Sequence, residues 1–152
     1  MSVALNNGVV MITREDLESF LIRMDLDYEE VEEGMFLVRG GNGAVVVHHS
    51  EPVLLLRLKV MDLPGEGDLA GLYKALLEWN ATDIVHGAYG IEEGEIILSD
   101  TLELQTLDYE ELQASVESLQ FAASSHLGEI RVLAGVDGAS DVSAESASEG
   151  EG

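Results

Sequence analysis

The sequence predicts an α+β domain in which helices flank an antiparallel sheet, with elements in the order α-β-β-β-α-β-β-α. Two observations predict it. Apolar residues change repeatedly between helical spacing and strand alternation, and glycine-rich clusters separate neighbouring strand-like segments. The chain of 152 residues has the length of one domain. We expect a loose N-terminal arm (residues 1–12), a folded domain (13–134) and a disordered acidic tail (135–152), which has no aromatic or basic residue.

The first helix is predicted from Thr13 to about Asp25. Thr13 suits the N-cap position, and Asp16, three positions later, suits the capping-box position. The apolar stripe of this helix consists of Leu17, Phe20, Leu21 and Met24. In the arm before it, residues 9–12 could add an apolar contact.

Three strands follow, at Met35–Arg39, Ala44–His49 and Val53–Met61. Gly40–Gly43 forms the turn between the first two, and Pro52 ends the second because proline cannot donate to a strand ladder. In the third strand the even-numbered positions are uniformly apolar and the odd-numbered ones are mixed. One face of this strand is therefore predicted to be core, and the other only partly covered.

A second helix and a hairpin form the centre of the predicted fold. The helix runs from Leu69 to about Ala81 with Asp68 as its N-cap, and Trp79 lies on the flank of its apolar stripe. That stripe consists of Leu69, Leu72, Tyr73, Leu76 and Leu77. Two strands follow, joined at Glu92–Gly94, where Gly94 suits the left-handed position of a loop of about three to five residues.

The third helix begins at Asp108, an N-cap with Glu111 at the capping-box position. One apolar stripe runs along it, made of Tyr109, Leu112, Val116, Leu119, Ala123, Leu127 and Ile130. Gly128 is expected to kink or end the helix. Phe121 lies about 180° around the helix from the stripe, so one sheet contact cannot bury both, and we expect Phe121 at an interface.

The charge of the chain excludes several functions. Thirty acidic residues against seven basic ones give a net charge of −23, so nucleic acid and anionic membranes, which are also negative, are not expected as partners. The same charge favours a basic or amphipathic partner. The sequence contains no cysteine, and we recognise neither a signal peptide nor an apolar run of about 20 residues. We therefore expect a cytoplasmic protein.

Catalytic chemistry has little support in the sequence. His48, His49 and Glu51 form the one clustered set of metal-ligand residue types. Adjacent strand residues point to opposite faces, so the two imidazoles cannot both reach one ion without a bulge. Gly40–Gly43 precedes a strand, whereas a phosphate-binding loop opens a helix. We expect no enzyme and no cofactor, with a metal-dependent enzyme using the histidine–glutamate set as an alternative.

The chain carries more apolar residues than one folded copy is expected to hide. Hydrophobic residues make up 46% of the sequence, although its last residues are mostly polar. Candidates for a subunit or partner surface are Trp79, Phe121, Met35, Phe36, Leu55 and Met61. We expect part of this set to contact a second copy or another protein.

Three segments carry a resemblance to a known family. They are Leu76–Ala81 (LLEWNA), followed by a strand, then Gly90–Leu98 (GIEEGEIIL), and Leu107–Asp108 at the start of the last helix. Together with the order of elements, they resemble the type III secretion chaperone-like superfamily, which includes the Tir-chaperone (CesT-like) and YbjN-like proteins, and they are most similar to the YbjN-like proteins. The resemblance covers about residues 13–134, and the family pattern does not require the acidic tail.

The resemblance implies a non-catalytic α+β homodimer that binds a segment of a partner protein, the client. For the dimer interface it implies Leu72, Leu76, Trp79, Val85 and Tyr89. For client binding it implies Phe20, Met24, Met35, Phe36 and Leu55, to which we add Phe121 from its position on the third helix. An acidic nucleic-acid mimic that binds basic proteins is a second interpretation, which the charge alone suggests.

Overall fold

The structure is a computed structural model and describes residues 3–6, 9–40 and 43–136. Eight strands and three helices occur in this part of the chain. In chain order they are β1 (Val3–Asn6), β2 (Val9–Ile12), α1 (Arg14–Met24), β3 (Asp27–Glu32), β4 (Met35–Gly40), β5 (Gly43–Ser50), β6 (Val53–Asp62), α2 (Ala70–Thr82), β7 (Ala88–Glu92), β8 (Glu95–Glu103) and α3 (Tyr109–Leu133).

Six of the strands form one antiparallel sheet in the order β3-β4-β5-β6-β8-β7, so β3 and β7 are its edges. All three helices contribute side chains to one apolar core. Within that core α3 contacts β5, β6 and β8, whereas α2 contacts β7. The α+β class with an antiparallel sheet flanked by helices is confirmed, and the predicted helices and strands occur in the predicted order.

The two faces of the sheet differ in burial. Residues that point toward the helices are almost completely buried: Phe36, Val38, Val45, Val47, Leu54, Leu56, Leu58 and Leu98. Many residues between them point the other way and are half-buried or exposed, among them Met35, Val46 and Leu55. This alternation agrees with the mixed odd-numbered positions of the predicted third strand. We call the second face the open sheet face, because the described helices all pack on the first.

The predicted starts of α1 and α3 are confirmed by capping boxes. At α1, the Thr13 hydroxyl accepts a hydrogen bond from the Asp16 N–H (3.1 Å), and the Asp16 carboxylate accepts one from the Thr13 N–H (3.2 Å). Asp108 and Glu111 make the same exchange at α3. Each pair satisfies two backbone donors that a helix start leaves free.

The start of α2 differs from the prediction. Its N-cap is Leu69, which makes no side-chain cap. The Asp68 carboxylate instead accepts a hydrogen bond from the Ala70 N–H (3.0 Å). The negative charge therefore still lies at the positive end of the helix dipole.

The hairpin between β7 and β8 has a two-residue turn, shorter than predicted. Glu93 (φ 51°) and Gly94 (φ 77°) both adopt left-handed conformations. A two-residue turn with both central φ angles positive matches the right-handed twist of the flanking strands. The glycine was read correctly, but the second left-handed residue is a glutamate, which the sequence pattern did not indicate.

Two segments contain more structure than the sequence indicated. Residues expected to form a loose arm include the antiparallel pair β1–β2, and Met11 and Ile12 are buried. The Ile12 N–H donates to the Leu104 carbonyl (3.1 Å), which ties this hairpin to the domain. The acidic segment before the first predicted strand forms β3 as an additional edge.

The third helix continues beyond the glycine that was expected to kink or end it. α3 runs through Gly128 to Leu133, because one glycine lowers helix propensity by only about 1 kcal/mol, and Ile130 is buried. Residues 137–152, most of the predicted tail, and residues 41–42 of the predicted turn lie outside the described residues.

Candidate functional site

An apolar surface lies along the β7 edge of the sheet. Leu77 on α2 is 68% exposed, Ile91 on β7 is 47% exposed, and Tyr73 is exposed beside them. Together they line a cavity of about 280 Å³ between α2 and β7. We call this the α2–β7 surface, defined by Tyr73, Leu77 and Ile91. It exists because the apolar stripe of α2 is wider than the face that α2 turns toward the core.

Four side chains form a polar cluster next to this surface, where α2 packs on α3. The His126 ring stacks on Trp79, with 3.9 Å between centroids and 3° between planes. Its Nε2 donates to Asp83 Oδ2 (3.0 Å), and its Nδ1 lies 2.7 Å from the Tyr89 hydroxyl oxygen. Both ring nitrogens therefore have partners, as a buried imidazole requires. We call these four residues the His126 cluster.

The His126 cluster fixes the connection between α2 and β7. The hydrogen bond from His126 lowers the pKa of Asp83, and a second one from Thr82 adds to this, while burial raises the pKa of Tyr89. The Asn80 amide accepts from the Tyr89 N–H (2.7 Å) and donates to the Tyr89 carbonyl (3.2 Å). These groups bond to one another, so the cluster joins α2, β7 and α3.

A second apolar groove lies between residues 83–86 and α3. Its volume is about 760 Å³. Val85 projects on one side and is 79% exposed, and Phe121 projects from α3 and is 74% exposed. The exposure of Phe121 agrees with its predicted position opposite the apolar stripe of α3. We call this the Val85–Phe121 groove.

A shallow depression lies on the open sheet face. It has a volume of about 220 Å³, and its lining residues are Met35, Val46, His48, Leu55 and Arg57. The register brings them together, because Met35 pairs with His48 across β4 and β5, and His48 pairs with Leu55 across β5 and β6. The structure thus unites two of the residues that the sequence proposed for client binding.

Three of the five residues expected at a dimer interface lie in the core of a single chain. Leu72, Leu76 and Tyr89 are buried, because their sides of α2 and β7 face the sheet and α3, although Leu76 and Tyr89 also line the cavity of the α2–β7 surface. Their place at a dimer interface stays a prediction. Trp79 is half-buried within the His126 cluster, and Val85 is exposed.

The expected client-binding residues separate into different parts of the molecule. Phe36 is completely buried, with the Arg14 guanidinium 5.6 Å from its ring centroid, so a single chain exposes no part of this side chain to a client. Its side chain points to the helix face of the sheet. Phe20 and Met24 are half-buried on α1 and pack against the core. The other three lie on the open sheet face and in the Val85–Phe121 groove.

The adjacent histidines point to opposite faces of the sheet, as strand geometry predicted. The His49 ring lies 2.8 Å from the Ile12 carbonyl oxygen, while His48 lines the depression on the open face. In residues 3–6, 9–40 and 43–136, no group of three or more histidine, aspartate or glutamate side chains is arranged to hold a metal ion. No helix in the same ranges is both long and apolar enough to cross a membrane.

Comparison with known families identifies the chain. The family model CesT_Tir_1 matches residues 11–135. The chain belongs to the CesT_Tir_1 family. This confirms the resemblance to the chaperone-like superfamily of the Tir chaperones and YbjN-like proteins. A comparison with curated protein sequences found no match.

Solved structures share the fold of this CesT_Tir_1 member. A chain in the heterodimeric ExoU–SpcU complex from the type III secretion system of Pseudomonas aeruginosa has a TM-score of 0.60 at 15% identity, over 74% of this chain and 95% of that one. YbjN from E. coli has a TM-score of 0.60 at 14% identity, over 80% and 96%. A chain in the complex of the Yersinia pestis type III secretion chaperone SycH with a YscM2 fragment has a TM-score of 0.55 at 21% identity, over 74% and 98%.

Sequence reasoning missed the His126 cluster. Two local signals pointed toward it: Trp79 and Asp83 are one helical turn apart, and His126 lies between Ala122 and Ile130 on the buried stripe of α3. A histidine on an apolar stripe needs a hydrogen-bond partner. Which partner it finds depends on how α2 packs on α3, and periodicity contains no information on that.

Proposed function

We propose that this CesT_Tir_1 family protein is a non-catalytic, chaperone-like homodimer that binds a segment of a partner protein in the cytoplasm. The observation that carries the proposal is the apolar α2–β7 surface at a sheet edge of a chain whose net charge is −23. Membership of a chaperone family supports it. Two of the solved structures with this fold are complexes with a partner protein: ExoU–SpcU, and SycH with a YscM2 fragment.

In this proposal a second copy covers the α2–β7 surface. Tyr73, Leu77 and Ile91 take the place of the buried residues that the resemblance implied. β7 is an edge strand, and because the Asn80 amide already bonds the N–H and carbonyl of Tyr89, the second copy contacts exposed apolar side chains and does not pair along the whole strand. A two-fold dimer brings the same surface of both copies together, which removes the apolar area of each from water.

The client segment binds to the open sheet face. Met35, Val46 and Leu55 provide an apolar depression there, and Arg57 at its margin is held by Glu92 (2.8 Å). A segment with one apolar anchor fits such a shallow site, with affinity shared among several contacts. Phe20 and Met24, which are half-buried on α1, are secondary contacts in this proposal.

Sedimentation velocity tests the homodimer. We expect the wild type to be dimeric and the Leu77→Asp variant to be monomeric with an unchanged circular-dichroism spectrum, because Leu77 contributes little to the core. Val132→Asp is the matched control, since Val132 is 73% exposed on α3, and it should remain dimeric. A wild type that is monomeric over the whole concentration range would refute the homodimer.

Affinity capture followed by mass spectrometry tests client binding. We expect a client that binds the wild type but not the Met35→Ser/Leu55→Ser variant, reproduced with the purified client. High salt separates this function from that of an acidic nucleic-acid mimic, since the Debye length falls to about 3 Å at 1 M salt and exposed charges are screened. An apolar client complex should persist there, whereas a mimic of nucleic acid should release its basic partner.

A further inference from the structure

The wall of the Val85–Phe121 groove is hydrogen-bonded to α3 and packs closely on β8. The Ser118 hydroxyl donates to the His86 carbonyl (3.1 Å) and accepts from the His86 N–H (3.1 Å). Gly87 follows with φ 92°, and a Cβ at this position would lie 2.6 Å from the Ser99 carbonyl oxygen. The wall is therefore bonded to α3 and packed on β8, while the Val85 side chain, just before these contacts in the chain, projects into solvent. Such a groove is formed before any partner arrives.

Several backbone groups of this wall already make hydrogen bonds within the chain. The N–H groups of Asp83 and Ile84 both donate to the Trp79 carbonyl (2.8 and 3.1 Å), and both backbone groups of His86 are bonded to Ser118. These groups are not available to pair with an extended strand. A helix satisfies its own backbone hydrogen bonds, so a helical partner fits this groove.

The floor of the groove is one face of α3. Ala114, Ser118, Ala122 and Ser125 line it and are spaced one turn apart. They extend over about 16 Å, or three helical turns. Small side chains allow a second helix to approach α3 at the short end of the usual 8–10 Å interaxial distance. Phe121 stands beside this floor as an apolar anchor.

The groove and its surroundings are acidic. Asp83 and Glu117 line it, and among the described lining residues there is neither lysine nor arginine. Along its length α3 carries four glutamates and one arginine, Arg131. A helix that docks here is favoured by positive charge beside its apolar face.

We propose that the Val85–Phe121 groove binds a short cationic amphipathic helix of the partner protein. Two apolar side chains one turn apart contact Val85 and Phe121, and lysine or arginine side chains lie toward Asp83 and Glu117. The inference rests on the proposed function, since it names the class of partner segment and gives it a second surface besides the open sheet face.

A synthetic peptide tests the inference by fluorescence anisotropy on the full-length protein. The peptide has about 16 residues, with leucine at i, i+4, i+7 and i+11 and lysine on both flanks; a second peptide replaces every lysine with glutamate. We expect the lysine peptide to bind and the glutamate peptide to bind at least about tenfold more weakly. Equal binding of the two peptides, or of neither, would overturn the inference.

Matched variants locate the site. Phe121→Ser should weaken the lysine peptide at least about tenfold, as loss of an aromatic anchor does, and Val132→Ser on the same helix should not. Glu117→Gln should weaken it about two- to threefold, and Glu129→Gln, outside the groove, should leave it unchanged. Loss of binding in Met35→Ser/Leu55→Ser, with Phe121→Ser unaffected, would contradict the inference and leave client binding on the open sheet face intact.

Sedimentation separates this inference from the homodimer. Phe121→Ser should remain dimeric while losing the peptide. If Phe121→Ser instead converts the dimer into a monomer, a second copy of the chain occupies the groove and the inference is wrong. If the wild type is monomeric and binds the lysine peptide through Phe121, the inference stands and the proposed homodimer fails.

Discussion

At the β3 edge of the sheet the outer strand carries mostly acidic side chains. At the β7 edge, exposed apolar side chains lie on the outer strand and on the neighbouring helix α2. β3 has the sequence DYEEVE, and its carboxylates take part in ion pairs with Arg14 and Arg39. β7 has the sequence AYGIE, with Glu92 as its one charged residue. Charges on an edge strand discourage pairing with other chains, so we call the β3 edge the protected edge. We call the β7 edge, where apolar side chains lie exposed, the available edge.

The difference lies in the neighbours and not in the exposure of any single residue. Val31 on β3 is 46% exposed, almost as much as Ile91 on β7. Glutamates precede and follow Val31 in β3, whereas Ile91 lines a cavity with Tyr73 and Leu77 of α2. An isolated exposed apolar residue is ordinary in a folded protein, whereas a contiguous apolar patch indicates association.

Removing the aromatic ring of Phe36, on the strand next to β3, should give the largest loss of stability. Phe36→Ala should lower the free energy of unfolding by about 3–5 kcal/mol, as other fully buried Phe→Ala changes do. Leu77→Ala, on the α2–β7 surface beside the available edge, should change it by less than about 0.5 kcal/mol. Urea unfolding at a concentration where both variants are monomeric measures the two values. Similar losses of unfolding free energy in the two variants would mean that Leu77 is as much a part of the core as Phe36.

The core face of the sheet could be read from the sequence, but the sorting of aromatic residues could not. Alternation in β6 correctly indicated Leu54, Leu56 and Leu58 as core. Phe36 lies in a strand where every nearby side chain is apolar, so alternation does not decide which face is covered. The position of α1 and of Arg14 over Phe36 decides it, and this depends on tertiary packing.

Removing the hydrogen bonds between the Asn80 amide and the Tyr89 backbone, at the available edge, should give the next largest effect. Asn80→Ala leaves the backbone N–H of the buried Tyr89 without its 2.7 Å acceptor, and loss of one partner of a buried hydrogen bond costs about 1–3 kcal/mol. Hydrogen exchange at Tyr89 and in residues 83–87 should accelerate more than the global change explains. Lys74→Ala, an exposed position on the same helix whose ammonium pairs with Glu78 (2.9 Å), serves as the control and should leave that exchange unchanged.

A charge on the available edge should make the two edges alike. Ile91→Glu should weaken self-association at least about tenfold, because a glutamate at the centre of an apolar interface is desolvated without a partner. Val31→Glu is the matched control at the protected edge, with nearly the same exposure, and should leave self-association unchanged. Equilibrium sedimentation gives both dissociation constants. An equal effect of the two substitutions would mean that the β7 edge is not the dimer surface.

Sequence reasoning found the elements of the available edge but not its exposed residues. The stripe of α2 was identified correctly, and family resemblance indicated its side as the dimer surface. Helical periodicity gives a face about half the helix wide, and only the angle of α2 on β7 separates Leu72 and Leu76, which are buried, from Tyr73 and Leu77, which are exposed. The sequence could therefore indicate the helix that carries the surface but not which half of its stripe stays outside.

Lowering the pH should weaken the ion pair between Arg14 and Glu30 at the protected edge. We expect the resulting loss of stability to be the smallest of these effects. Hydrogen bonds from Arg14, helped by the Gly34 N–H, lower the pKa of Glu30 to about 2. A carboxyl whose pKa is lower in the folded chain stabilises the fold fully above its ordinary pKa of about 4.3, and this contribution disappears as the pH falls toward 2. The urea midpoint of the wild type should therefore fall more between pH 5 and pH 2 than that of Glu30→Gln.

The other carboxylates titrate in both proteins, so the difference between the two curves isolates Glu30. In the Arg14→Met background that difference should shrink to the part that the Gly34 N–H supplies, and parallel curves for wild type and Glu30→Gln would mean that the pair does not stabilise the β3 edge.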